Sequence, residues 1–549
     1  MNSFIIRTED FKDEVIKDVF VETAKDRELI NNLKSEHQML LVGSRGVGKT
    51  MLLKMAEIEL NEEFRTKRYL PVFSSFVKGI LVNNTLNSNH FRYWMISKIL
   101  NAFRSALLGK GIITRGNNPF EMLFKTDTDE SNSLDEFIKI LEETWNQKLD
   151  LNYERVIEIL GIEKNNIKFI NEIDSVKILI EQFCKEYQIE KVVFLFDEAC
   201  HNFIPEQQRE FFSMIRDLRS PYICCKAAVY PGITYYGTLQ KFHDILIRRV
   251  ERDIMDKDYF KSMREIVEKQ SSDAVFSKFK EKGQELDALI ICSSGNPRLL
   301  LKSIEQASKE FKTLRRTDVN DTIIDFYRVQ IWDEHTRLSD TYKGHKELID
   351  WSRIFLETSV MPETIKKNTD RKPKQTTYFA VQRDVAEKVK NAIRILEYTG
   401  IVQLHTEGTK VRTSVYDRYQ INIGVVVASE SSKSSVERCK ELYSGLSQKI
   451  FTDYGANSPV FRSLIDNPAI KDGFEGTNLA LEIILQKPIE SLDISAKQIK
   501  RLKDAGFLTI HEILTNDQDS LMRAQQIGPI RSKSIYSTAY NAAVEYISG

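Results

Sequence analysis

The sequence predicts a multidomain α/β chain: a parallel-sheet core carrying a phosphate-binding loop, followed by smaller and mostly helical units. Three observations carry this. The apolar run Met39-Leu40-Leu41-Val42 leads directly into Gly43-Ser44-Arg45-Gly46-Val47-Gly48-Lys49-Thr50, and then into the helix-like Met51-Leu52-Leu53-Lys54-Met55. A second apolar run, Val192-Val193-Phe194-Leu195-Phe196, is short, β-branched and aromatic, as a strand buried on both faces should be, and it ends in Asp197-Glu198. Finally, 549 residues exceed what one hydrophobic core can hold.

Each part of the loop has its chemistry. The glycines allow a backbone tight enough for successive N–H groups to face an anion, and the following helix adds its positive end. Gly43, Ser44, Arg45, Gly46, Val47, Gly48, Lys49, Thr50 and Met51 therefore form the expected nucleotide cradle. Lys49 is placed to reach the β- and γ-phosphates, and the Thr50 hydroxyl to ligate Mg²⁺, so ATP with Mg²⁺ is the expected ligand pair. The strand tip at Asp197-Glu198 lies where open α/β sheets bind ligands. Asp197 is assigned to the Mg²⁺ shell and Glu198 to orienting and deprotonating the attacking water.

Composition narrows the partners. Lys plus Arg equals Asp plus Glu at 79 each, so nucleic acid or an acidic membrane must be met by a local patch. The six cysteines include no C-x-x-C pair and read as reduced thiols, several of them inside apolar runs. The eight histidines are scattered, and no structural metal is expected. No signal peptide or membrane span is visible, which points to a cytoplasmic chain.

Along the chain, Phe20 to Thr23 reads as an extended lead-in to a charged helix, and Arg68 to Phe76 as a second strand. The polar and helical stretch from about 85 to 190 is a large insertion, either a partner-binding element or helical padding. After the acidic tip come a helix, Glu206 to Arg219, and a strand, Tyr222 to Val229. The sensing of a γ-phosphate at that strand's end is left open between Tyr230 and Thr234. In Ser294-Gly295-Asn296-Pro297-Arg298-Leu299 a turn opens a helix with Arg298 in its first turn, against the helix dipole; a bound γ-phosphate supplies the reason.

The glycine loop, the Asp-Glu strand tip and the Gly-Asn-Pro-Arg helix together resemble an AAA+ ATPase. Within that superfamily the chain is similar to the initiator clade of origin-recognition proteins and helicase loaders, near the signal-transduction (STAND) ATPases, over about residues 15 to 430. The resemblance implies an AAA+ nucleotide-binding domain over 1–240, with the insertion about 85–190. A helical lid over 241–335 would carry Arg298 as a catalytic sensor beside Lys49 and Glu198. The family's usual Asn at the first sensor position is replaced here, which implies slow turnover. Self-association and an arginine supplied in trans are also implied, the candidates being Arg248 and Arg249 or Arg216 and Arg219.

The initiator clade further implies a winged helix over 336–430. His345 to Thr358 and Arg383 to Tyr398 read as its helices, and Val402 to His405 and Val411 to Ile423 as strands joined by a wing at 406–410. Lys366 to Lys374 is strongly basic, and Lys388, Lys390 and Arg394 lie along the second helix. Residues 431–487 read as a helical linker, with a serine-rich hinge beginning at Ser429. Residues 488–549 resemble helix-hairpin-helix domains, notably the C-terminal domain of the bacterial RNA polymerase α subunit, on Ile494 to Phe507, Thr509 to Leu514 and Ile527-Gly528-Pro529-Ile530-Arg531-Ser532-Lys533. That likeness implies phosphate contacts from Gly528, Arg531, Ser532 and Lys533, flanked by Lys497 and Lys500. The expected function is an ATPase that couples its nucleotide state to double-stranded DNA. The competing readings are a signalling or defence ATPase whose C-terminal units bind protein, and an ATP-dependent binding module with negligible hydrolysis.

Overall fold

The computed structural model describes residues 13–76, 90–114, 134–139, 141, 172–198, 205–231, 234, 236, 239, 244–309, 314–341, 345–411, 413–430, 434–466 and, with scattered exceptions, 485–539. Its first layer is a five-stranded parallel sheet of β1 (Met39–Val42), β2 (Tyr69–Ser75), β3 (Lys191–Asp197), β4 (Ile223–Val229) and β5 (Leu246–Arg249), in the order β2-β3-β4-β1-β5. Successive side chains alternate between two cores, as the strand period of two requires. Met39, Leu41, Val193 and Leu195 face helices α1 (Asp13–Val19), α2 (Ala24–Leu33) and α3 (Lys49–Lys67). Leu40, Val42, Val192, Phe194 and Phe196 face α4 (His90–Gly109), α5 (Ile173–Glu186) and α6 (Pro205–Asp217). Phe76, Phe196 and Phe211 meet there with ring centroids 5.5–5.7 Å apart. About half of the insertion lies outside the described residues; α4 and α5 are its described first and last helices.

A lysine in the middle of this sheet is fully buried. Lys226 of β4 donates from Nζ to the carbonyls of Ser35 (2.8 Å), Asn32 (3.3 Å) and His37, closing the C-terminal end of α2. A helix end leaves carbonyls without intrahelical partners, and an ammonium there satisfies three acceptors at once.

Beyond the sheet come α7 (Tyr259–Gln270), α8 (Asp273–Lys280), α9 (Gly283–Ser293), α10 (Pro297–Lys309) and α11 (Arg316–Ile324). A π-helical stretch carries α11 into α12 (Ile331–Thr341), and another joins α13 (Lys346–Phe355) to α14 (Met361–Asp370). A second sheet, β6 (Tyr378–Gln382), β7 (Val402–Val411), β8 (Ser414–Ile421) and β9 (Thr452–Tyr454), runs in the order β7-β8-β6-β9. Helix α15 (Glu387–Thr399) links β6 to β7 and stops at Gly400, whose φ of 78° supplies the left-handed cap. One continuous apolar cluster runs from Tyr259 to Leu464, so the lid helices and the second sheet share a core.

Two expectations are corrected here. Residues 406–410 are not a turn: they lie within β7, which absorbs them through register shifts after Leu404 and Thr406, and the chain reverses between Val411 and Ser414. Of the hinge expected from Ser429, residues 431–433 lie outside the described residues; the chain on either side of them forms the helices α16 (Ile423–Ser429) and α17 (Ser435–Gly445). Val436, Cys439 and Leu442 form an apolar stripe at helical spacing that seats α17, and Cys439 Sγ lies 3.2 Å from Cys292 Sγ of α9. Arg383, expected to begin a helix, precedes α15 and pairs with Asp417 at 2.7 Å.

Residues 485–539 enclose a separate small core of Ile489, Leu502, Phe507, Ile510, Leu521, Ile527 and Ile535. Its helices α18 (Ala496–Asp504) and α19 (Ile510–Thr515) each begin with a capping box, Ser495 with Gln498 and Thr509 with Glu512. No helix among the described residues is long and apolar enough to cross a membrane.

Candidate active site

The loop between β1 and α3 takes its shape from two glycines in the left-handed region, Gly46 (φ 86°) and Gly48 (φ 103°). A Cβ at Gly48 would meet nothing within 4 Å, which leaves open space above the N-terminus of α3. Lys49, only 4% exposed, donates from Nζ to the carbonyls of Gly43 (2.7 Å) and Ser44 (2.9 Å), and lies 3.7 Å from the centroid of the Tyr230 ring.

Tyr230 follows β4, the strand between the one that leads into the loop and the one that ends in the acidic pair. Asp197 closes β3, 2% exposed and in register with Ser75 of β2. Glu198 then adopts φ 56°, a left-handed conformation uncommon for a residue with a side chain. Its Oε1 accepts the Tyr230 hydroxyl at 3.1 Å. Burial first, and then the Glu198 and Asp197 carboxylates, push the Tyr230 phenol well above its ordinary pKa, so it stays a donor. Thr234 serves the backbone instead: its hydroxyl accepts from Tyr230 N–H (3.2 Å) and donates to Tyr230 C=O (2.5 Å). Of the two candidates for the first sensor, Tyr230 is the one whose side chain reaches a carboxylate.

The lid and the second sheet close on the loop. Arg298 N lies 3.4 Å from the Gly46 carbonyl, and Asn296 donates from Nδ2 to the Arg45 carbonyl at 2.9 Å. Asn296 Oδ1 also accepts from the N–H groups of Arg298 and Leu299, so one side chain starts α10 and holds the loop. From the second sheet's helix α15, the Tyr398 carbonyl accepts Arg45 N–H at 3.1 Å. Arg252 donates to the Val47 carbonyl at 2.8 Å and pairs at 3.5 Å with Asp26, which closes a capping box with Thr23. Between loop, lid and second sheet remains a cavity of about 30 Å³, lined by Ser44, Glu251, Asn296, Glu397, Gln420 and Asn422. That is room for water. Burial, opposed by Arg249, pushes the Glu251 carboxyl up to about 7.

The residues assigned from the sequence thus fall into groups. Gly43 to Met51, Asp197, Glu198 and Arg298 come together around the loop. The Thr50 hydroxyl and Asp197 carboxylate are hard oxygen donors, the chemistry Mg²⁺ takes. Arg249 is engaged within its own chain, with Glu397 at 2.6 Å and Glu251 and Glu407 each at 3.6 Å. Arg248 is half-buried on the edge strand β5; Arg216 lies beside Asp217 at 2.8 Å, and Arg219 is exposed.

In the C-terminal unit Lys497, Lys500, Gly528 and Arg531 are exposed, and Arg531 reaches back to the Gln526 carbonyl at 3.0 Å. Ser532 is not a surface contact: it is 1% exposed, because Ser532, Ile535 and Ala539 share the helical face turned to the core. The left-handed residue of this turn is Gln526 (φ 63°) rather than Gly528, and Lys533 lies outside the described residues. Along α15, Lys388 is buried and donates to the Ile465 carbonyl, while Lys390 and Arg394 pair with Glu387. Lys366, Arg371, Lys372 and Lys374 remain exposed. The contacts made by Tyr398, Arg252 and Asp26 had no counterpart in the sequence reading.

A family profile described as ORC-CDC6-like matches residues 4–323. No curated protein matches the sequence. Similar solved structures include the Aeropyrum pernix ORC1 protein in complex with DNA, at 13% identity and TM-score 0.30, covering 78% of this chain and 98% of that one. They also include the Aeropyrum pernix ORC2 protein in ADPNP-ADP complexes, at 10% identity and TM-score 0.32, covering 83% and 98%.

Proposed function

Since the chain belongs to the ORC-CDC6-like family of AAA+ ATPases, we propose that it binds ATP with Mg²⁺, hydrolyses it slowly, and couples its nucleotide state to double-stranded DNA as an initiator-like loader or DNA-anchored switch. The observation that carries this is the continuous link from Lys49 through Tyr230 to Glu198, with Arg298 against Gly46 on the other side of the loop. It supports one site made of loop, strand tip and lid. In this reading Lys49 and the loop N–H groups hold the phosphates, Thr50 and Asp197 hold Mg²⁺, Glu198 activates water, and Arg298 reports the γ-phosphate to the lid. Mg²⁺ supplies charge neutralisation on the phosphates.

Lid and second sheet both rest on the loop, through Asn296 and Arg298 on one side and the Tyr398 carbonyl on the other, so a nucleotide that reshapes the loop would shift them relative to it. That shift is the proposed coupling. Residues 336–430 would act as a winged helix, presenting Lys366, Arg371, Lys372 and Lys374. Residues 488–549 would act as a helix-hairpin-helix unit gripping phosphates through Lys497, Lys500 and Arg531. Self-association, with an arginine such as Arg248 or Arg216 reaching a neighbouring site, belongs to the same proposal.

A salt-titrated duplex-binding assay with and without ATP tests the DNA arm. Each DNA phosphate neutralised by the protein contributes about 0.9 to the steepness of the log–log salt slope. Replacing Lys497, Lys500 and Arg531 by Ala should flatten that slope and weaken the response to ATP; unchanged affinity would remove the hairpin from DNA binding. The occupied basic groups of α15 favour one second reading, in which that helix faces protein.

A further inference from the structure

We propose that Tyr230 is a positioning residue that restrains the two catalytic groups, Glu198 and Lys49, and that Tyr398 from the second sheet's helix sets that restraint. The proposal rests on the ATPase reading above and adds a regulatory part to the same site.

Tyr230 touches both halves of the catalytic apparatus with different parts of its side chain. Its hydroxyl donates to Glu198 Oε1 at 3.1 Å. Its ring face meets Lys49 Nζ at 3.7 Å, while the same ammonium donates to Gly43 and Ser44 carbonyls. A carboxylate that accepts a phenol O–H is a weaker base and is aimed at that phenol; an ammonium over a ring and two carbonyls is turned into the loop. Both groups must let go of these contacts before one can orient water and the other can meet a phosphate.

The third face of Tyr230 meets the second sheet's helix. Its ring packs edge-on against Tyr398, with centroids 5.4 Å apart, inside a small cluster completed by Leu338, Ile349 and Ile395. Tyr398 also accepts Arg45 N–H through its carbonyl. One residue of α15 therefore braces both the loop and the restraining tyrosine. A ligand that draws α15 away removes the brace, Tyr230 gains room to turn, and Glu198 and Lys49 are released together. DNA on the unit that contains α15 would raise hydrolysis by this route.

The test uses the full chain, with Mg²⁺-ATP binding and single-turnover hydrolysis measured separately. Tyr230→Phe keeps the ring and removes only the hydroxyl. Basal kcat should rise roughly tenfold, the size of one hydrogen bond to a charged group, with KM little changed. Tyr398→Leu should raise kcat as well, and the double variant should gain less than the product of the two, since both act through one contact. A fall or no change in kcat for Tyr230→Phe, with ATP still bound, overturns the proposal and leaves the ATPase reading standing. If wild type binds ATP without turnover, onset of hydrolysis in Tyr230→Phe supports the restraint and continued silence overturns it. Failure of wild type to bind Mg²⁺-ATP overturns the functional reading and the restraint with it.

Discussion

Arg298 occupies the space in front of Gly46: a Cβ placed on that glycine would stand 2.4 Å from Arg298 Cβ and 2.8 Å from its Cδ. The lid helix α10 therefore rests directly on the phosphate loop, and the contact exists because position 46 has no side chain. Gly46→Ala adds both a clash and a strained φ of 86°. The variant should lose ATP affinity by about tenfold or more and melt earlier than wild type, by roughly 1–2 kcal/mol of strain. Fluorescent-nucleotide titration and thermal unfolding check the two effects; normal affinity in Gly46→Ala would mean the lid does not rest on the loop in solution.

Lys226 gives a stability prediction independent of catalysis. It is fully buried, and its ammonium satisfies Asn32, Ser35 and His37 carbonyls at the end of α2. Lys226→Met keeps the stem but removes the donor those carbonyls share, leaving that of Asn32 with a second partner, Ser35, and should cost about 1–3 kcal/mol. Denaturant unfolding measures it. An unchanged midpoint would show that water replaces the ammonium without loss.

His335 predicts a pH dependence. Burial, reinforced by Arg353 and opposed by the Ile349 carbonyl, holds its pKa down at about 4, against 6.5 when exposed. The unfolded chain then binds the extra proton first, so stability is full above about pH 6.5 and falls as pH drops toward 4, by up to about 3 kcal/mol. His335 lies 3.3 Å from Thr399 Oγ1, one residue from Tyr398, so acid should loosen the brace on the loop as well. In His335→Asn this part of the slope between pH 6.5 and 4 should disappear; an identical slope would assign it to other groups.

In the C-terminal unit Arg531 and Ser532 separate two effects. Arg531→Ala should reduce the salt dependence of duplex binding and leave unfolding unchanged. Ser532 lies in the core-facing row with Ile535 and Ala539, so Ser532→Asp should destabilise the unit and reduce binding only through unfolding. Loss of DNA affinity in a Ser532 variant of normal stability would contradict the inward placement.

What could be read in the sequence was what local chemistry dictates. A loop needing left-handed glycines and a helix start announces itself at Gly46, Gly48 and Lys49, and a buried strand announces its acidic tip at Asp197. The contacts on the loop from Tyr398 and Arg252 were not legible, because each joins segments far apart in the chain through backbone carbonyls that any residue possesses. The left-handed φ of Glu198 has no marker in a glutamate. The docking of α17 has its signal in the stripe of Val436, Cys439 and Leu442, which the serine-rich run just before it obscures. Ser532 failed on helix phase, since a hairpin likeness names positions but not the side that faces inward.

The central claim is that the glycine loop and the acidic strand tip form one ATP site, and single-turnover hydrolysis in Mg²⁺ tests it most directly. Wild type should bind and slowly cleave ATP, Lys49→Ala should lose binding, and Glu198→Gln should bind normally while its cleavage rate falls at least about a hundredfold. Equal cleavage rates for wild type and Glu198→Gln, or undiminished Mg²⁺-ATP binding by Lys49→Ala, would contradict it.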